Sequence, residues 1–260
     1  TLQPSRFRFH GNDNLSPKLM DADYPYDDDK ELQSALHALF RINRTEHVAR
    51  IVGWMAATFL KEHIRAIIPQ FPLLGIWGNA GAGKTMTAMA TLNLTGMDYQ
   101  SNGAAMNAET TTAYPLIDYL SSSNTVPRLI EEVNENILSR QMYQKITGLF
   151  KAAWGDSGSA RGRVSGTGVE VDNRRISSPI CFVSEQRNPR PAMRNRTIEV
   201  MLTSLDREVP GRAEHFEHLW EHRTALHRAA KAMLHRTLTL SVADVKEMLD
   251  ANDPLLDKSM

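Results

Sequence analysis

Apolar and polar positions are arranged differently in successive stretches of the chain. Residues 1–29 are polar, rich in Pro, Asn and Asp, and end in Asp27-Asp28-Asp29 without a sustained hydrophobic period, which predicts an irregular lead-in. From there the apolar set Leu32, Leu36, Leu39 and Phe40 recurs at helical spacing and predicts a helix over 31–42. A longer helix is expected over 45–68, with Thr45 as its N-cap. Past residue 70, short apolar runs alternate with helical patterns, as in a mainly parallel sheet with crossover helices. Five strands are expected, over 72–77, 98–104 (the weakest), 126–131, 179–184 and 197–202, with helices over 84–94, 111–120 and 138–154. Three of the strands carry a proline in their opening positions, Pro72, Pro127 and Pro179, where a missing N–H is tolerated.

The stretch 155–178 breaks this alternation. Its flanks, 160–165 and 169–177, surround Gly166-Thr167-Gly168 and read as a β-hairpin with a glycine turn. Residues 212–236 and 241–250 are again helical in pattern. The expected organisation is a lead-in over 1–29, an N-terminal helical segment over 30–69, an α/β core over 70–205 carrying the hairpin insert 155–178, and a C-terminal helical segment over 206–260.

Composition narrows the possibilities. Hydrophobic residues make up 42% of the chain and charged residues 23%, enough to build a sizeable core. Thirty basic residues balance thirty acidic ones, which excludes an overall basic polyanion binder but not a local one. Residues 151–200 hold 9 basic against 5 acidic groups, while every other segment is slightly acidic. The single cysteine, Cys181, rules out an intramolecular disulfide framework or a cysteine-clustered zinc site and reads as a buried thiol in a reducing compartment. No run approaches the ~18–20 apolar residues of a membrane span, and no signal-peptide core is present, so a cytoplasmic location without membrane association is expected. A chain beginning at Thr1 reads as part of a longer polypeptide.

The strongest chemical signal is Gly78-Asn79-Ala80-Gly81-Ala82-Gly83-Lys84-Thr85, a full match to G-x-x-x-x-G-K-[ST]. Glycines let the backbone curl so that successive N–H groups face phosphates at a helix N-terminus, where the helix dipole also favours an anion. Lys84 would neutralise the β- and γ-phosphates of ATP, and the Thr85 hydroxyl would ligate Mg²⁺. The run 73–77 supplies the strand before the loop, with Trp77 as core packing, and 86–90 supplies the helix after it.

A P-loop enzyme also needs an acid at a neighbouring strand tip to hold hydrated Mg²⁺, and a hydrolase needs a second carboxylate for the attacking water. Leu129-Ile130-Glu131-Glu132 offers both, Glu131 for the metal and Glu132 for the water. The strand ending at Ser184 puts a polar side chain where the γ-phosphate or the water would be read, with Gln186 as a second candidate. Arg187, Arg190, Arg194 and Arg196 cluster before the fifth strand, and an arginine there would reach the γ-phosphate bound by an adjacent subunit.

The order of P-loop, acidic strand, glycine-rich basic insert, polar-ended strand and Ala192-Met193-Arg194-Asn195-Arg196 resembles the AAA+ ATPases. Among them it is most similar to superfamily 3-type helicases of phage and plasmid primase-helicase proteins. The resemblance, spanning 45–205, implies that residues 78–85 are the Walker A motif and Glu131 and Glu132 the Walker B pair. It puts Ser184 at the sensor, where the family has Asn, and makes Arg194 or Arg196 the arginine finger. It further implies a ring, expected to be hexameric, whose pre-sensor hairpins grip single-stranded DNA. A fused or partnering primase or polymerase domain and a bacterial host cytoplasm would accompany such a protein.

A pore tracking a single strand needs positive charge and backbone donors more than base-reading groups. Lys151, Arg161, Arg163, Arg174 and Arg175 supply the charge, with Trp154 as a stacking residue. His215, His218 and His222 share a helix face but read as polar surface rather than as a metal site. The alternatives are a protein remodeller or clamp loader, a non-hydrolysing nucleotide-dependent DNA-binding module, and a small-molecule kinase. The first lacks an aromatic-aliphatic-Gly pore triplet in 86–128. Lys84 and Glu132 argue against the second, and the paired carboxylates against the third.

Overall fold

The computed structural model describes residues 18–19, 29–100, 104–155, 157–165 and 168–256. Its strands are β1 (Leu73–Trp77), β2 (Ala105–Asn107), β3 (Arg128–Glu131), β4 (Gly158–Ser165), β5 (Gly168–Arg175), β6 (Ile180–Ser184) and β7 (Thr197–Met201). Five of them form one sheet in the order β2-β3-β6-β1-β7, every pairing parallel. This is the sheet of an AAA+ P-loop NTPase, flanked by N- and C-terminal helices. β1 lies between the two strands latest in sequence, and β4 and β5 pair with each other as a separate antiparallel hairpin.

Parallel strands buried on both faces need apolar side chains in both directions, and β1 has them. Leu74 and Ile76 join a core with α1 (Asp29–Leu39), α2 (Thr45–Phe59) and α4 (Lys84–Leu92). Leu73 faces the opposite core, built on α5 (Ala113–Ser121) and α6 (Arg140–Gly155). Gly75 is required between them, because a Cβ there would stand 2.7 Å from Phe182 Cζ. The C-terminal helices α8 (Arg212–Glu221) and α9 (Leu226–Thr239) close the first core through Leu219 and Leu226, while α10 (Val242–Leu256) packs on α3 (Lys61–Ile67). The short α7 (Pro191–Arg194) leads into β7.

Tyr119 fixes the depth of β3. Its hydroxyl donates to the Ala104 carbonyl at 2.6 Å and accepts from the Leu129 amide at 3.1 Å, and burial pushes its phenol up to about 12.

Several expectations are corrected. The second sheet strand is Ala105–Asn107 rather than 98–104; three small or polar residues at a sheet edge carry no hydrophobic run to reveal it. Met97–Asp98 pairs instead with Lys18–Leu19, a two-residue strand inside the lead-in. The helix expected over 45–68 breaks at Leu60, and the break lets Lys61 turn inward to the carbonyls of Asn124 and Ser177. Thr45 is not the N-cap: Arg44 holds that position, and the Thr45 hydroxyl donates back to the Phe40 carbonyl at 3.2 Å. The helix expected over 212–236 is divided by a 3₁₀ turn at Arg223–Ala225. The first hairpin strand starts two residues earlier than expected, the second starts one residue earlier and ends two earlier, Ser165 registers against Gly168, and Gly166 and Thr167 lie outside the described residues.

Candidate functional site

In an open parallel sheet the carboxyl ends of the strands form the natural ligand edge, and most of the expected site residues lie there. Trp77 and Ser184 are register partners, as are Asn107 and Glu131, and the Leu202 amide bonds to the Trp77 carbonyl at 2.8 Å. The loop 78–83 begins directly above β1. Gly78, Gly81 and Gly83 all have positive φ (150°, 73° and 82°), a conformation that L-residues avoid. At Gly78 the requirement is also steric, since a Cβ would stand 1.7 Å from the Leu202 carbonyl oxygen.

Lys84 opens α4 and is buried, yet among the described residues it pairs with no carboxylate. Its ammonium donates to the carbonyls of Gly78 at 2.8 Å and Asn79 at 2.9 Å, which stretches the side chain across the loop it follows. A buried full charge answered only by dipoles is costly unless a counter-ion completes it. The site therefore fits a polyanion such as a nucleotide phosphate chain. Thr85, half-buried in the first turn, stands beside Lys84.

Glu131 ends β3 and Glu132 follows it, both half-buried and without an ion pair among the described residues. Glu132 has φ 57°, the one positive φ of a non-glycine residue among the described residues. Holding an L-residue there costs about 1–2 kcal/mol. The Val133 amide, bonded to the Val183 carbonyl at 3.1 Å, and the Asn134 amide, bonded to the Glu132 carbonyl at 2.9 Å, impose the kink. Ser184 is buried, and its hydroxyl oxygen accepts from the Gln186 amide at 3.3 Å. The Gln186 side chain is tied to Asn136 at 2.9 Å, so the loops after β3 and β6 are joined.

The arginines before β7 differ. Arg187 is held by Glu199, and Arg190 by Glu135 at 2.9 Å with its guanidinium over Tyr143. Arg196 donates to the Ala192 carbonyl and lies over the Trp154 ring, 4.6 Å from its centroid. Trp154, expected to stack on bases, thus stacks on an arginine of its own chain. Arg194 is half-exposed and has no partner among the described residues. Of the residues expected on nucleic acid, Lys151 is exposed on α6, Arg175 is exposed at the hairpin root, and Arg174 pairs with Asp118. Arg161 and Arg163 fall in β4, and their side chains lie outside the described residues.

Trp77 is half-buried beneath Arg187. Cys181 is fully buried, and burial pushes its thiol up. His218 bonds to Ser34 and His222 to Glu31, each at 2.7 Å, which ties α8 to α1. Two further residues at the site and its frame are not legible in the sequence. Arg212, at the start of α8, donates to the Ile42 carbonyl at 2.7 Å and lays its Nη2 against the loop, 2.7 Å from where a Cβ on Gly83 would stand. Lys61 is buried and grips two carbonyls. Neither carries a local sequence signal, because both act across long separations.

No family model matches the chain, and no curated protein matches it. Among solved structures it is similar to SCCmec type IV Cch, described as an active helicase, with 14% identity and a TM-score of 0.51 over 91% of this chain and 51% of that one. It also matches JCV helicase bound to an acetamide compound (14%, TM-score 0.49, 93% of this chain and 64% of that one). A third match is the NrS-1 C-terminal region (13%, TM-score 0.41, 88% and 54%). The chain spans between half and two-thirds of the length of these proteins. At such identities the likeness to Cch is one of fold alone. Among the described residues, no helix is long and apolar enough to cross a membrane.

Proposed function

We propose that this chain is the ATP-hydrolysing motor core of a DNA helicase or translocase that works at the subunit interfaces of a ring and grips single-stranded DNA with the hairpin β4–β5. The observation that carries the reading is the carboxyl edge of the sheet. There a curled glycine loop and a buried, carboxylate-free Lys84 stand above the same edge as Glu131, the kinked Glu132 and Ser184.

In this reading the amides of 78–83 and Lys84 hold the phosphates, and Thr85 and Glu131 hold Mg²⁺. Bound there, Mg²⁺ would draw charge from the phosphate oxygens in the transition state. Glu132 orients and deprotonates the attacking water, and its imposed backbone keeps the carboxylate from collapsing into the strand. Ser184 reads the γ-phosphate. Arg194 is the finger offered to the neighbouring subunit; the support is that Arg187, Arg190 and Arg196 are each engaged within their own chain while Arg194 is not. The hairpin sits between α6 and β6, and Lys151, Arg161, Arg163 and Arg175 contribute charge toward the strand. Arg174 contributes to this patch while paired with Asp118. A primase or polymerase domain, in the same polypeptide or as a partner, would supply the remainder of a replication protein.

The test is ATP turnover with and without single-stranded DNA, with Lys84→Ala as the control. Stimulation by DNA, and loss of DNA affinity in an Arg161→Ala/Arg163→Ala double variant, are expected. Absence of both would leave an ATPase acting on another polymer, with polypeptide the first to try.

A further inference from the structure

We infer that Trp154 and Arg196 form the mechanical joint that transmits the nucleotide state of the sheet to the hairpin, an inference that rests on the motor reading above.

Trp154 stands in the last turn of α6, just before the hairpin begins at Gly158. Carbonyls in a last turn lack intrahelical partners, and that of Trp154 takes two N–H donors at 3.1 Å each. One is the Phe71 amide, on the run into β1, and the other is Arg65 Nη2 on α3. β1 continues directly into the loop 78–83. The indole face is covered by the Arg196 guanidinium. Arg196 in turn donates to Ala192 on α7, the helix that carries Arg194, and its own carbonyl accepts from the Leu73 amide at 2.9 Å. Two residues thus join the root of the hairpin, the strand that bears the phosphate loop, and the helix that bears the arginine offered to a neighbour.

The returning arm of the hairpin is fastened to the same frame. The Ile176 amide bonds to the Ser157 carbonyl at 3.2 Å, and Lys61, on α3 with Arg65, grips the Ser177 carbonyl. One short helix therefore holds both feet of the hairpin, and a shift of β1 or α7 reaches it through packed groups rather than through a slack linker. The indole supplies what an aliphatic side chain cannot, a broad face with negative charge at its centre on which a guanidinium rests. The backbone bonds at Trp154 survive substitution, so exchanging the side chain isolates the stack.

The experiment measures ATP turnover, its stimulation by single-stranded DNA, DNA affinity and thermal unfolding for the unmodified chain, Trp154→Leu, Arg196→Gln, their double variant and Trp154→Phe. Basal turnover and DNA affinity should stay within about twofold of the unmodified chain. Stimulation should fall at least about fivefold in each single variant and no further in the double, with most of it retained in Trp154→Phe. If Trp154→Leu fails to fold, Arg196→Gln decides: lost stimulation in a folded protein supports the joint, and full stimulation overturns it. Full stimulation in both single variants overturns the joint and leaves the motor reading intact. A loss of DNA affinity in Trp154→Leu alone overturns it too, because the indole would then be stacking on bases. An unmodified chain that DNA does not stimulate overturns the motor reading and the joint with it.

Discussion

At the carboxyl edge of the sheet, Lys84, Glu131 and Glu132 hold charge that no ion-pair partner among the described residues neutralises. Around the amino edge, Lys61, Arg65, Arg174 and Arg196 are each engaged with carbonyls, a carboxylate or an indole. Both regions are rich in charge, and they use it differently. Where charge is left open, it is poised for something that arrives from outside; where it is closed, it holds the frame that positions the hairpin. Buried charge alone would not have separated the two, since Lys61 and Lys84 are both buried lysines on carbonyl oxygens. What separates them is their setting. Lys84 stands at a helix start behind a loop of positive-φ glycines, and Lys61 joins α3 to the segments that lead into β3 and β6.

The contrast is most exposed to test at Glu132. Glu132→Gln should lower ATP turnover by about 10²–10³-fold while nucleotide binding persists, measured by steady-state turnover beside equilibrium titration. An unchanged rate would remove Glu132 from the chemistry and leave its kink without a role. Next in size, Arg194→Ala should cost about 10²-fold in turnover, with activity recovered on mixing with Lys84→Ala chains, since only a mixed interface unites an intact Lys84 with an intact Arg194. If mixing restores nothing, the arginine is not shared between subunits. Gly78→Ala should destabilise the fold by at least about 2 kcal/mol in chemical denaturation, because φ 150° and the Leu202 carbonyl both refuse a Cβ.

The smallest effect belongs to Lys61, on the closed side of the comparison. Burial, with Arg65 adding to it, lowers its ammonium to about 8 from the ordinary 10.5. Between those values the unfolded chain binds the proton and the folded chain does not, so this residue makes stability rise with pH across that window. Below about 8 its destabilising contribution is constant. The expected gain is about 1–2 kcal/mol between pH 8 and pH 9.5. The gain should vanish from the thermal unfolding profile of Lys61→Met; a profile of the same slope in that variant would mean that another group is titrating.

Much of the carboxyl edge is legible in the sequence because its residues are contiguous. Glycine spacing, Lys84 and Thr85 form one local pattern, and Glu131-Glu132 follows a short apolar run that reads as a strand. The amino edge is not legible in that way. Lys61 meets Ser177, Arg196 meets Trp154 and Arg212 meets the glycine loop across long stretches of chain, and no short spacing encodes such meetings. The same reasoning explains why Trp154 and Arg196, each sensible as a ligand-facing residue when read alone, satisfy one another once the helix and strand are in place. The three-residue strand Ala105–Asn107 is illegible for the converse reason: it is set by its neighbour β3 and not by its own side chains.

The strand order also governs how the protein is made. β1 emerges before its two partners, β6 and β7, which lie roughly a hundred residues further along the chain. Until they arrive, Leu73, Leu74 and Ile76 form a bare apolar strand with both edges open. Such long-range pairing folds slowly and exposes the nascent chain to aggregation. The strand that leads into the glycine loop is therefore in need of shelter during translation, and truncations ending before residue 180 should collect on holding chaperones rather than accumulate as a soluble half-domain.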